Sequence, residues 1–175
     1  MSKPYDGGCR PKPHYGRYRG KVVSNSDSQK LGRIQVTCPD VLGRGQMAWA
    51  LPSSPYAGDG VGFFAIPPEG ADVWVEFERG DPDFPIWVGC FWSSGQVPSE
   101  ASAASTKVLK TDALTLTIDD SAGGDGVTLE VSSPAVSTSI KIALTSSGVE
   151  ISTGNSSVKL DPTSVSLNDG ALQVM

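Results

Sequence analysis

From Lys107 to Met175 the chain reads in steps of two. Leu114, Leu116 and Ile118 make a first apolar rung, and Val127, Leu129 and Val131 a second. Ile140, Ile142 and Leu144 follow, then Val149 with Ile151, Val158 with Leu160, Val165 with Leu167, and Leu172 with Val174. Thr, Ser, Glu and Lys stand between the apolar positions, and Asp, Gly, Asn, Ser or Pro separates one rung from the next. Alternation with this period marks strands that bury one face. No segment of the tail shows the 3.6-residue period of a helix, so it is predicted to be β throughout.

The tail has no Phe, Tyr or Trp, although the chain holds 13 aromatics, all at or before Trp92. Each rung offers only two or three aliphatic side chains, about 1.5–3 kcal/mol apiece if fully buried. Ordering the backbone costs roughly 1–2 kcal/mol per residue, more than one such chain recovers alone. Rung centres stand 13 residues apart at first (Leu116, Leu129, Ile142) and between 7 and 9 apart near the end, and short strands repeated in this way point to neighbours stacked along one axis. The tail is therefore read as an obligate oligomer, most simply a three-sided prism with its ladder hydrogen bonds shared between chains. Its predicted interior is Leu116, Ile118, Leu129, Val131, Ile140, Ile142, Leu144, Val149, Ile151, Val158, Leu160, Val165 and Leu167.

Residues 16–92 read differently. GRYRGKVVSN, LGRIQVTCP, GQMAWALP, DVWVEFERG and PIWVGCFW are strand-like runs, joined by turns such as SNSDSQK, PSSPYAGDGVG and GDPDFP. Five or six short strands with Gly/Pro turns predict a small closed barrel. The aromatics that the tail lacks are gathered here, enough for an independent core. Residues 93–106, rich in Ser and Ala, read as a linker. The division is thus a leader over 1–15, a barrel over 16–92, a linker over 93–106 and a β tail over 107–175.

Charge and cysteine usage narrow the function. The net charge is -5. It arises wholly after residue 98, since ten Lys/Arg balance ten Asp/Glu before that point and four face nine after it. Phosphate binding wants a basic face, so nucleic acid is an unfavoured partner. The basic start of the chain has no apolar stretch of the kind a secretory signal needs. Three cysteines without a CxxC pair fit a reducing compartment rather than a disulfide framework. Cys38 and Cys90, both in strand-like runs, are expected in the core. Cys9 and His14 are half a metal site at most, and no second pair stands at zinc-ligand spacing.

Catalysis finds no footing in the sequence. Asp119, Asp120 and Asp125 resemble a calcium loop but lack its twelve-residue pattern and closing Glu. Asp81 and Asp83 suit a turn. Glu76 and Glu78, two apart, would share the polar face of one strand. A Ser-His-Asp site could draw only on His14, in the leader. No catalytic residue, metal or cofactor is assigned. The alternative is an OB-type module for oligonucleotides or carbohydrates, stacking bases or sugars on Trp49, Trp74, Trp87 or Trp92, with the β tail as its oligomeriser.

The run LGRIQV (Leu31–Val36), the long stretch GVGFFAIPPEGADVWVEFERGDPDFPIWVG (Gly60–Gly89) and the CFW after it resemble the OB-fold domain of central spike proteins from contractile injection machines. That group includes phage baseplate assembly protein V and the VgrG spikes of type VI secretion. The tail is similar to the group's intertwined trimeric β-helix. The resemblance implies an all-β homotrimeric spike, made in the cytoplasm and built into an injection particle or virion baseplate. It would cap the tail tube and pierce the target envelope when the sheath contracts, touching the target membrane transiently. It also implies a tail hub protein as partner, expected as a separate chain because only about 15 residues precede the barrel. Some relatives hold iron through histidines at the tip. This tail has no histidine, so a PAAR-type cap is expected instead, against Leu172, Val174 and Met175.

Overall fold

The computed structural model describes residues 12–174, and the chain divides between Gln96 and Val97 into two compact units. The first eleven residues of the expected leader, Cys9 among them, and the expected cap contact Met175 lie outside the described residues.

The first unit is a closed barrel. Its strands are β1 (Tyr18–Ser24), β2 (Ile34–Thr37), β3 (Met47–Pro52), β6 (Asp72–Phe77) and β7 (Pro85–Phe91), with a short hairpin of β4 (Ala57–Gly58) and β5 (Val61–Gly62) in the long connection. The order around the barrel is β1-β2-β3-β7-β6. All pairings are antiparallel except that of β3 with β7, where Leu51 faces Ile86 and Pro52 faces Trp87. This is the five-stranded OB connectivity. Alternation builds the core: Val22 from β1, Ile34 and Val36 from β2, Ala50 from β3, and Val73, Val75 and Phe77 from β6 are all buried, with Cys38 beside them. Tyr18 meets Phe77 edge-on at 5.7 Å. Gly20 is required by closeness, since a Cβ there would come within 2.8 Å of Val75 and 2.9 Å of the Thr37 carbonyl.

Polar groups fix the loops. Asp27 accepts backbone N–H bonds from Gln29 and Leu31, at 3.0 and 2.8 Å, and binds the Arg33 guanidinium at 2.6 Å. The Arg33 contact, with these amides, holds its carboxyl far below the usual carboxylate range. Asp81 accepts from the Asp83 amide at 3.0 Å, closing the expected turn.

Three expectations for the barrel are corrected. His14 is not part of a free leader: its amide donates to the Gly80 carbonyl at 2.9 Å, and its ring lies against Tyr18 and Phe77. Glu78 does not share a strand face with Glu76, because β6 ends at Phe77 and Glu78 opens a 3-10 turn. Cys90 is exposed rather than in the core. β3 pairs with β7 only at Ile86 and Trp87, and Cys90 lies beyond that pairing. A single helical turn, α1 (Pro39–Leu42), follows Cys38.

The second unit is one eight-stranded antiparallel sheet of β8 (Thr106–Lys110), β9 (Leu114–Asp119), β10 (Gly126–Val131), β11 (Ile140–Thr145), β12 (Gly148–Thr153), β13 (Ser156–Leu160), β14 (Val165–Leu167) and β15 (Leu172–Val174). Each strand pairs with the next in sequence, from β8 through β15. The ladder hydrogen bonds expected between chains are thereby formed between consecutive strands of one chain, with β8 and β15 left as the edges of the sheet. All seven apolar rungs are strands, and β8 is an eighth. The shrinking rung spacing reflects the connections, which run over 120–125 and 132–139 early on but only 146–147 and 154–155 later. Gly126 and Gly148, at φ +68° and +135°, open β10 and β12 against the next-strand carbonyls of Leu144 and Leu160, where a Cβ would collide.

Candidate functional site: the apolar face of the tail sheet

Directly opposed residues in antiparallel strands share a face, so the registers decide which side chains come together. Leu116 lies opposite Leu109 and Leu129. Ile142 lies opposite Leu129 and Ile151, and Val158 opposite Ile151 and Leu167. Leu172 follows Leu167, so this column crosses all eight strands. A second column runs Ile118, Val127, Leu144, Val149, Leu160, Val165 and Val174. A third, Leu114, Val131 and Ile140, is confined to β9–β11. The structure thus brings every one of the thirteen residues predicted for the interior onto one face, with Leu172 and Val174 at its end.

Among the described residues, the second unit has no layer of its own over that face. No residue of the second unit is buried among those described. Leu144 and Ile151 are each 46% exposed, and Leu160 is 45% exposed. A monomeric soluble protein seldom leaves so long a contiguous apolar strip in water. Leu109 belongs to the strip but was missed in the sequence, because its neighbour Val108 is also apolar and breaks the alternation that marks the other strands.

The opposite face is polar. Thr117, Thr128, Glu150 and Lys159 fall in one row, and Thr115, Glu130, Lys141, Ser152 and Ser157 in another. Lys159 reaches Asp169 at 2.6 Å and Glu150 at 3.9 Å. Asp169, then Glu150, raise its pKa above the usual lysine value. The turn carboxylates serve their own turns. Asp119 accepts the Ser121 amide at 2.9 Å. Asp161 is held at about 2 by the hydroxyls of Ser164 and Thr163 and by their amides.

On the barrel, three of the four tryptophans are already engaged. Trp49 lies under the Arg33 guanidinium at 5.2 Å, and that cation is neutralised by Asp27. Trp74 is packed by Phe91 at 4.6 Å and by Arg19 at 5.1 Å. Trp87 donates its indole N–H to the Gly32 carbonyl at 3.3 Å. Trp92 is 66% exposed. A stacking platform for bases or sugars would need several open rings.

A five-strand OB barrel followed by a sheet with one uncovered apolar face defines a class of chain built to assemble around an axis. Known proteins agree. Residues 18–92 match the family described as the type VI secretion system/phage-baseplate injector OB domain. Residues 106–173 match the phage baseplate V C-terminal trimerisation domain. The type VI secretion system spike protein VgrG4b of Pseudomonas aeruginosa is 33% identical over 107 residues. That match spans 55% of this chain and 13% of the longer relative. The chain belongs to the VgrG-like baseplate spike proteins, a structural family rather than an enzyme family, whose place is an assembled injection particle.

Proposed function

We propose that three copies of this chain pack the apolar faces of their tail sheets around a common axis, making the stiff rod of a central spike. The observation that carries this reading is the face itself: eight strands in register, one unbroken aliphatic column across all of them, and no described residue of the unit buried in one copy. Covering a half-exposed Val, Leu or Ile gains about 1 kcal/mol, and the gain is repeated along the columns and in each copy. Eight strands at ~4.8 Å give a rod about 35 Å long. Because each strand pairs with the next in its own chain, axial load would fall on continuous hydrogen-bonded sheets. The six-residue strands β9–β12 give way to three residues in β14 and β15, narrowing the rod toward its end.

In this reading the barrels seat on the hub of a tail tube and cap it, and sheath contraction drives the rod into the target envelope. The exposed Leu172 and Val174 at the end of the sheet suit a separate PAAR-type cap. The role is mechanical, with no catalytic residue, cofactor or nucleic-acid ligand. Light scattering on the purified chain tests it: a mass of three copies that survives dilution, with no salt-dependent affinity for single-stranded DNA, is the expected result. A monomer with an ordered tail would overturn it.

A further inference from the structure

Between β7 and β8 the chain has the Ser- and Ala-rich composition of a loose tether, yet each unit holds its own share of it. On the barrel side the hold is Asp72, the one charged residue that is buried among those described. One oxygen of its carboxylate takes the Lys21 ammonium at 2.7 Å, and the other takes the Ser93 hydroxyl at 2.7 Å. Ser93 lies two residues past Phe91, where the ladder with β6 ends, so this bond extends the barrel's grip beyond its last strand. A turn follows at once. The Gln96 amide donates to the Ser93 carbonyl at 3.1 Å, and the Gln96 side-chain oxygen accepts the Ser93 amide at 2.7 Å. Gly95, at φ +80°, supplies the left-handed residue that the turn needs.

The tail unit opens with a turn of its own. The Ala101 amide donates to the Pro98 carbonyl at 3.0 Å, and the Ser102 amide to the Glu100 carbonyl at 2.9 Å. The Glu100 carboxylate binds the Lys110 ammonium of β8. Between Gln96, which closes the first turn, and Pro98, which opens the second, stands Val97. A residue before proline is confined to extended backbone, a β-branched side chain stiffens it further, and the proline ring fixes the next φ. We propose that the connection works as a pivot at Val97 between two anchored turns, in place of a flexible tether over 93–106. A Ser-rich coil of that length would bend in every direction under load. A pivot with one narrow freedom passes load along the chain. That consequence rests on the tail acting as a rod; the pivot itself does not depend on how many copies join.

Amide hydrogen exchange, resolved by residue, tests it on the full chain against a synthetic peptide of residues 91–107. The amides of Ser93, Gln96, Ala101 and Ser102 should exchange at least about tenfold more slowly in the protein, with Val97 at the peptide's own rate. Peptide rates at all five positions would make the connection a tether and overturn the proposal. Ser93→Ala should bring Ser93 and Gln96 toward the peptide rate and leave Ala101 and Ser102 protected. Lys110→Ala should do the reverse. If either change is felt across Val97, or is not felt on its own side, the turns are not separate anchors and the pivot falls. Light scattering on the same samples keeps the two readings apart: a monomer with these protections intact sinks the trimer and leaves the pivot standing.

Discussion

The barrel and the tail sheet are built from the same period-two grammar and reach opposite outcomes. In the barrel, closure of five strands turns the inward set into an interior, and Ile34, Val36, Val73 and Val75 are fully buried in a single copy. In the tail, eight strands in register stay open, and the inward set remains half in water. Each strand of both units is hydrogen-bonded to a neighbour, and only the end strands β8 and β15 of the tail keep a free edge. What separates them is whether a sheet can curl onto itself. β1 bends past Gly20 and shifts register between Val22 and Ser24, and β6 shifts between Trp74 and Val75. Such irregularities increase twist and let a short sheet close. The tail pairings show no such shifts, and a regular sheet with one apolar face must find its second layer elsewhere.

The sharpest way to break this contrast is a charge in the middle of the tail face. Ile142→Asp places a carboxylate opposite Leu129 and Ile151, and in the trimer three such groups would approach one axis. Burying an unpaired ion costs several kcal/mol per copy. The expected result is loss of the trimer by light scattering, with the near-ultraviolet signal of the barrel aromatics retained. The matching change in the barrel is Phe77→Ala, which removes a buried ring packed on Tyr18 and costs about 3–5 kcal/mol. It should lower the barrel's melting transition without changing the oligomer. Melting of the tail should depend on protein concentration, as for any fold completed by its copies, and melting of the barrel should not.

How far the sequence reveals this arrangement follows from which signals are local. The seven rungs are legible because one uncovered face demands strict alternation, and Leu116, Ile142 and Ile151 keep it. β8 is obscured because Val108 and Leu109 are adjacent, and only the opposition of Leu109 to Leu116 shows which of the two joins the strip. The barrel strands are legible from alternation and Gly/Pro turns. The exposure of Cys90 is not, because it depends on where β3 stops flanking β7, a contact across more than thirty positions of sequence. The docking of His14 on Gly80 is equally non-local. For the surface itself, the apolar residues could be read from the sequence, but that the ladder closes within one chain could not. Consecutive pairing and exchange between copies leave the same alternation.

A smaller effect is expected where the tail turns. Gly148→Val sets a side chain against the Leu160 carbonyl in a backbone region that favours glycine, at a cost on the order of 1–3 kcal/mol per copy. It should lower the tail transition and leave the barrel's in place. Acid should act on both units through different carboxylates. The folded-state pKa values of Asp27 and Asp161 are depressed, so their contributions are present above the usual carboxylate value and are lost as pH falls through the folded one. For Asp161 that window runs from 3.8 down to about 2. For Asp27 the Arg33 contact extends it lower. Asp27→Asn should flatten the acid limb of barrel melting, and Asp161→Asn that of tail melting, with no crossover between them.

The smallest effect tests whether the two faces of the tail differ as their registers say. Lys159 stands on the polar face with its ammonium shared between Asp169 and Glu150, and its side chain is 42% exposed. Exposed ion pairs gain little, because water and salt screen them and the long side chain loses freedom. Lys159→Ala should therefore leave the trimer mass and the tail transition within experimental error, although Val158, the residue before it, lies in the apolar column. Val158→Asp should undo the trimer as Ile142→Asp does. If Lys159→Ala were the more damaging of this adjacent pair, the outer face would be the one that joins the copies, and the arrangement proposed for the rod would have to be turned inside out.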